Sequence, residues 1–89
     1  MKAIVTVVGK DQVGIIAGVC NTLADCQINV LDISQTIMEG YFTMMMVVDL
    51  TACKAPFDEL RTILKEYGEG RGLSIRIQRE DIFNATHKL

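Results

Sequence analysis

Tyr41–Leu50 reads YFTMMMVVDL. Phe42, Met44, Met46, Val48 and Leu50 recur at a period of two and make one wholly apolar face. Thr43, Met45 and Val47 make a second, mostly apolar face, and a strand apolar on both sides belongs inside a sheet. Just upstream, Glu39-Gly40 is a hairpin turn signal. Before it, Asn29–Met38 alternates, with Leu31, Ile33 and Ile37 on one face and Asp32, Ser34 and Thr36 on the other. That pattern predicts a half-buried strand at a sheet edge, its polar face solvated.

Working outward, Lys2–Gly9 (KAIVTVVG) is β-branched and apolar on both faces, a second buried central strand. After the polar break Lys10-Asp11-Gln12, the residues Ile16, Val19, Cys20 and Leu23 mark one stripe of a helix running to about Cys26. Asp11 is placed to cap that helix. On the other side, Pro56 suits the first turn of a second helix, with Asp58 and Glu59 near its positive end. Phe57, Leu60, Leu64 and Tyr67 form its apolar stripe, and Gly68 is expected to take the left-handed C-terminal conformation. Leu73–Arg79 alternates again, Leu73, Ile75 and Ile77 against Ser74, Arg76 and Gln78.

The order is therefore β-α-β-β-α-β. Right-handed crossovers place both helices on one face of a four-stranded antiparallel sheet of order 4-1-3-2, an α+β ferredoxin-like fold. The two strands apolar on both sides are the two that this topology puts in the centre. Residues 1–80 make the domain. Residues 81–89 are expected to be a short helical tail in which Ile82, Phe83, Thr86 and Leu89 share a face.

The 89 residues carry nine basic and eleven acidic side chains, a net charge of −2, with 49% hydrophobic residues. At this size the stability of folding is only about 4–13 kcal/mol, so a subunit interface would matter. The acidic balance argues against nucleic acid as a partner, and no apolar run reaches the ~20 residues of a membrane span. The chain runs from its first residues into a strand, which predicts no signal peptide. Three cysteines, an odd number without paired spacing, predict a reducing, cytoplasmic setting. Cys20 lies in the helix stripe, and Cys26 stands roughly 240° around the helix from it. His87 is alone in the tail, and no metal site is expected. The apolar sheet face carrying Met45 calls for a cover, either the tail or a second subunit, so a homodimer or higher oligomer is expected.

Gly9-Lys10-Asp11-Gln12-Val13-Gly14-Ile15 joins a central strand to a helix N-terminus, where free N–H groups and the helix dipole favour an anion such as a carboxylate. Gly9 and Gly14 would admit close backbone approach. Read plainly, the same residues are a tight β–α turn with nothing bound.

This G-K-D-Q-V-G-I segment, following an apolar strand, resembles the G-x-D-x-x-G-I segment of ACT domains. Gln27-Ile28-Asn29-Val30 and Asp32-Ile33-Ser34-Gln35-Thr36-Ile37 resemble the short stand-alone bacterial members related to glycine-cleavage regulatory proteins. The resemblance spans about residues 1–80. It implies a regulatory module that binds an amino acid between two copies. By position it implies a ligand site of Gly9, Asp11, Gln12, Val13, Gly14 and Ile15 from one copy and Asn29 from another. It further implies a regulated enzyme or transcription regulator as partner, no cofactor and no catalysis. Where members often carry Arg-Pro, this chain has Gln12-Val13, losing a carboxylate clamp and a preset helical turn. Asn29 also directly follows a helix end, where Asn serves as a turn residue.

Other classes fit less well. An acylphosphatase-like enzyme needs an arginine soon after the glycine turn, and none precedes Arg61. No Ser-His, Cys-His or paired-carboxylate arrangement is legible. An RNA-binding sheet needs exposed aromatics on the central strands, and the first strand has none. The alternative that stays open is an ACT-like dimer that binds a partner protein without a ligand.

Overall fold

The computed structural model describes residues 1–82. Its elements are β1 (Lys2–Lys10), α1 (Ile15–Asp25), β2 (Asn29–Met38), β3 (Tyr41–Asp49), α2 (Phe57–Glu69) and β4 (Leu73–Arg79). The sheet is antiparallel throughout, ordered β2-β3-β1-β4, which is the expected ferredoxin-like order read from the other edge. A helical turn starts at Glu80. The remaining tail positions, Phe83, Thr86, His87 and Leu89 among them, lie outside the described residues.

One sheet face packs on both helices. Ala3, Val5 and Val7 of β1, Phe42, Met44, Met46 and Val48 of β3, and Leu73, Ile75 and Ile77 of β4 meet Ile15, Val19 and Leu23 of α1 and Leu60 and Leu64 of α2. The stripe of α1 is rotated from the expected one. Ile15, Val19 and Leu23 are buried and Ile16 is exposed, so the buried stripe runs at a spacing of four residues. Cys20 is partly buried against the same core.

Two close approaches fix the layers. An added Cβ on Gly9 would stand 2.6 Å from Leu73 Cδ2 and 3.0 Å from the Gly72 carbonyl oxygen. On Gly68 it would stand 2.5 Å from the Leu73 carbonyl oxygen. Gly68 thus lies inside α2, buried against β4, and does not end the helix in the left-handed conformation. The positive φ falls instead at Gly72, four residues on.

The edge strand β2 differs most from its sequence reading. A β-bulge between Val30 and Asp32 leaves Leu31 outside the register. Beyond it, Ile33, Gln35 and Ile37 stand opposite Met46, Met44 and Phe42, hence on the helix side of the sheet. The helices do not reach that far, so Ile33 and Ile37 are exposed and the strand is not half buried.

Candidate functional site

The hairpin joining β2 to β3 turns through Glu39 and Gly40, both at positive φ. It anchors the first β–α loop, for the Asp11 N–H donates to the Gly40 carbonyl oxygen at 2.8 Å. The Gln12 side-chain amide donates to the Arg71 carbonyl oxygen at 3.0 Å, which ties the loop to the α2–β4 turn. Arg71 in turn lies 4.0 Å over the Tyr67 ring. The segment is thus held from both sides.

Gly14 caps α1 at φ 87°, and its carbonyl oxygen accepts the first helical bond from the Gly18 N–H at 2.9 Å. No side chain caps this end, and no acidic residue occupies its first turn. The expected Asp11 cap is not formed. Its peptide is pinned to the hairpin, three residues ahead of the actual N-cap, and the carboxylate remains at the surface. The first N–H groups of α1 therefore keep their partial positive charge without a built-in acceptor.

Beside this helix end lies an open groove of about 330 Å³. It is lined by Asp11, Gln12, Gly14, Ile15, Ile16 and Ala17 from the loop and α1, and by Gln35, Ile37 and Phe42 from the sheet. Five of the expected residues converge here or shape the loop: Asp11, Gln12, Gly14 and Ile15 line the groove, and Val13 projects fully exposed beside it. Ile15 contributes backbone only, since its side chain is buried in the core. Gly9 is not among the lining residues, and its missing side chain makes room for Leu73. Asn29 is at the opposite end of the sheet: it pairs with Asp49, whereas the loop follows Lys10, which pairs with Tyr41. Eight residues of β3 separate those positions, about 27 Å at strand rise. Within one chain Asn29 does not meet the loop.

Ile16, Ala17, Gln35, Ile37 and Phe42 are the groove residues that sequence reasoning did not assign to a site. Gln35 is on its rim with both a donor and an acceptor. The alternation of β2 sets Gln35 on one face with Ile33 and Ile37, but only the packing of distant segments brings that face beside the end of α1.

Burial first, then Cys53, Asp25 and Glu59 nearby, pushes the Cys26 thiol up, away from the thiolate a nucleophile requires. Cys20, Cys26 and Cys53 are all unpaired. Among the described residues no group of three or more His, Cys, Asp or Glu is placed to hold a metal ion, and no helix is long and apolar enough to cross a membrane.

Comparison with known proteins agrees with this architecture. The family model for the ACT domain matches residues 2–78. A UPF0237 protein of Listeria innocua is 57% identical over 89 residues, covering all of both chains. The solved structure of an ACT domain protein from Streptococcus pneumoniae superposes with a TM-score of 0.83 at 47% identity, covering 93% of each chain. A formyltetrahydrofolate deformylase from Pseudomonas putida carries the same fold over 29% of its length, with a TM-score of 0.81 at 16% identity and 91% of this chain covered.

Proposed function

Since the chain belongs to the ACT domain family, whose members are regulatory ligand-binding modules, we propose that it binds a small amino acid as a cytoplasmic homodimer and acts on a regulated enzyme or transcription regulator rather than by catalysis. The observation that carries this reading is the groove at the uncapped end of α1, which opens towards the unpaired edge of β2. That edge exposes Leu31, Ile33, Ile37 and Met38 at 47%, 44%, 57% and 68%. Such a strand is a template for pairing with another copy.

Antiparallel pairing of two β2 edges about a two-fold axis sets the Asn29 end of one strand beside the Met38 end of the other. Asn29 of the partner subunit then faces the first β–α loop that it cannot reach in its own chain. The ligand carboxylate would meet the N–H groups near Val13, Gly14 and Ile15, at the positive end of α1. Asp11, released from capping, supplies a carboxylate for the ligand ammonium, and Asn29 closes the site with a donor and an acceptor. The rim of Ile16, Ala17 and Ile37 suits a short apolar side chain.

A thermal-shift screen of the twenty amino acids, followed by calorimetry on the hits, tests this. A ligand at 100 times its Kd adds about 2.7 kcal/mol to stability. Ala17→Phe, which fills the groove from an exposed helix position, should abolish the response without unfolding the chain. No response to any amino acid would favour the partner-binding dimer without ligand, and unchanged affinity in Ala17→Phe would place the ligand elsewhere.

A further inference from the structure

The sheet has a second free edge. Among the described residues β4 pairs with β1 and with no other strand, so one side of its backbone from Leu73 to Arg79 offers N–H and C=O groups unpaired within them. Along that edge runs a groove of about 580 Å³ whose floor is Leu73–Gln78 and whose wall is a stripe of α2, Arg61, Lys65 and Glu69. It continues past Arg61 and Gln78 into a second hollow of about 410 Å³ bounded by Phe57 and Arg79. Together they follow the whole strand, about 24 Å at strand rise.

The charge of this channel opposes that of the chain. Arg61, Lys65, Arg76 and Arg79 line it, four of the nine basic residues of a protein whose net charge is −2. Asp58 sits 3.2 Å from Arg61 and Glu69 sits 4.0 Å from Lys65, which offsets half of that charge. Both cations nevertheless stay open to solvent, with 58% and 72% of their side-chain surface exposed. Arg76 projects from the other flank of the strand, on the face away from the helices. An added strand would therefore meet positive charge on both of its faces.

We infer that the β4 edge is a docking surface for an extended acidic segment of a partner protein, which joins the sheet as a fifth strand. Backbone bonds to β4 would supply affinity, and Arg61, Lys65 and Arg76 would select acidic side chains. A second copy of this chain suits the edge poorly. Full antiparallel pairing of two β4 strands centres on Arg76 and sets it against its own mate, and like charges directly opposite are unfavourable. Nucleic acid suits it poorly too, because the Phe57 ring, which could stack on a base, is already covered by the guanidinium groups of Arg61 and Arg79 at 5.2 and 5.5 Å. This docking does not depend on an amino acid being bound at the first β–α loop, and it leaves the β2 edge free.

The test uses the whole chain, isotope-labelled for NMR, and a peptide of about seven residues alternating glutamate with valine, matched to the length of β4. At low salt the peptide should shift and slow the exchange of amides in Leu73–Arg79 while leaving Asn29–Met38 unchanged. The double variant Arg61→Glu/Arg76→Glu should bind about tenfold more weakly, as should the wild type at high salt. A peptide with lysine for glutamate should not bind. Arg76→Gln, a milder change at an exposed position, should weaken binding in the same direction and confirms that a loss is not unfolding. The inference is overturned if no peptide binds, if the shifts fall on β2, if charge reversal leaves affinity unchanged, or if a single-stranded oligonucleotide of equal length binds more tightly.

Discussion

Gly14 holds φ 87° with open space where a Cβ would be, so its requirement is conformational rather than steric. Gly14→Ala should cost about 1 kcal/mol in denaturant unfolding, and Gly14→Asn distinctly less, since asparagine tolerates the left-handed region. Asp11→Ala, by contrast, should change stability by less than about 0.5 kcal/mol, because the carboxylate caps nothing. Had the cap existed, the loss would be about 0.5–2 kcal/mol. A different carboxylate does titrate with folding. The Thr51 hydroxyl and N–H both donate to Asp49, at 2.6 and 2.9 Å, and these bonds hold its carboxyl below the ordinary range, with the N-terminal ammonium adding at 3.8 Å. A lowered folded pKa gives stability that is present above the unfolded value and lost as pH falls through the folded one. The deficit of Asp49→Asn should therefore shrink as pH drops below the carboxylate range, and unfolding curves between neutral and strongly acidic pH would show it.

Packing between elements rests on two glycines, Gly68, which the sequence alone marks as a helix C-terminus, and Gly18, which lies inside α1. Gly68 lies in the last turns of α2 with the Leu73 carbonyl directly against it, and Gly18 of α1 lies under the Tyr67 hydroxyl of α2. Gly68→Ala should destabilise by about 1–3 kcal/mol because the obstacle is backbone and cannot swing aside. Thermal unfolding of that variant beside Gly70→Ala, which meets nothing closer than 4.0 Å, isolates the effect. This is also where sequence reading stopped. The burial of β1 and β3, the hairpin at Glu39-Gly40 and the order of elements follow from periodicity and turn chemistry, which are local. Downstream of the bulge at Leu31 the alternation keeps Ile33, Gln35 and Ile37 on one face, but that this face borders the end of α1 depends on the packing of distant segments. The segment Gly9–Ile15 was legible as the lead into a helix, but which residue caps it depended on the hairpin that holds Asp11, a contact between distant segments.

Across the whole molecule, the two sheet edges are proposed to take different partners: β2 a second copy, β4 an acidic strand. Ile37→Lys places a charge on the β2 edge where an apolar contact is proposed, at a position already 57% exposed. It should yield a folded monomer of about half the assembled mass by light scattering, with its melting curve otherwise intact at low concentration. The central claim is that the ligand site is shared between subunits, and subunit mixing tests it most directly. Ala17→Phe spoils the groove of its own subunit, and Asn29→Ala spoils the donation made to its partner. Calorimetry with the amino acid that shifts the wild type should find no binding to either variant alone. After unfolding and refolding the two together in equal amounts, half of the dimers are mixed and each regains one intact site, so about one site in four should bind with wild-type affinity. Binding by Asn29→Ala alone, or none in the refolded mixture, would contradict a site built from both subunits.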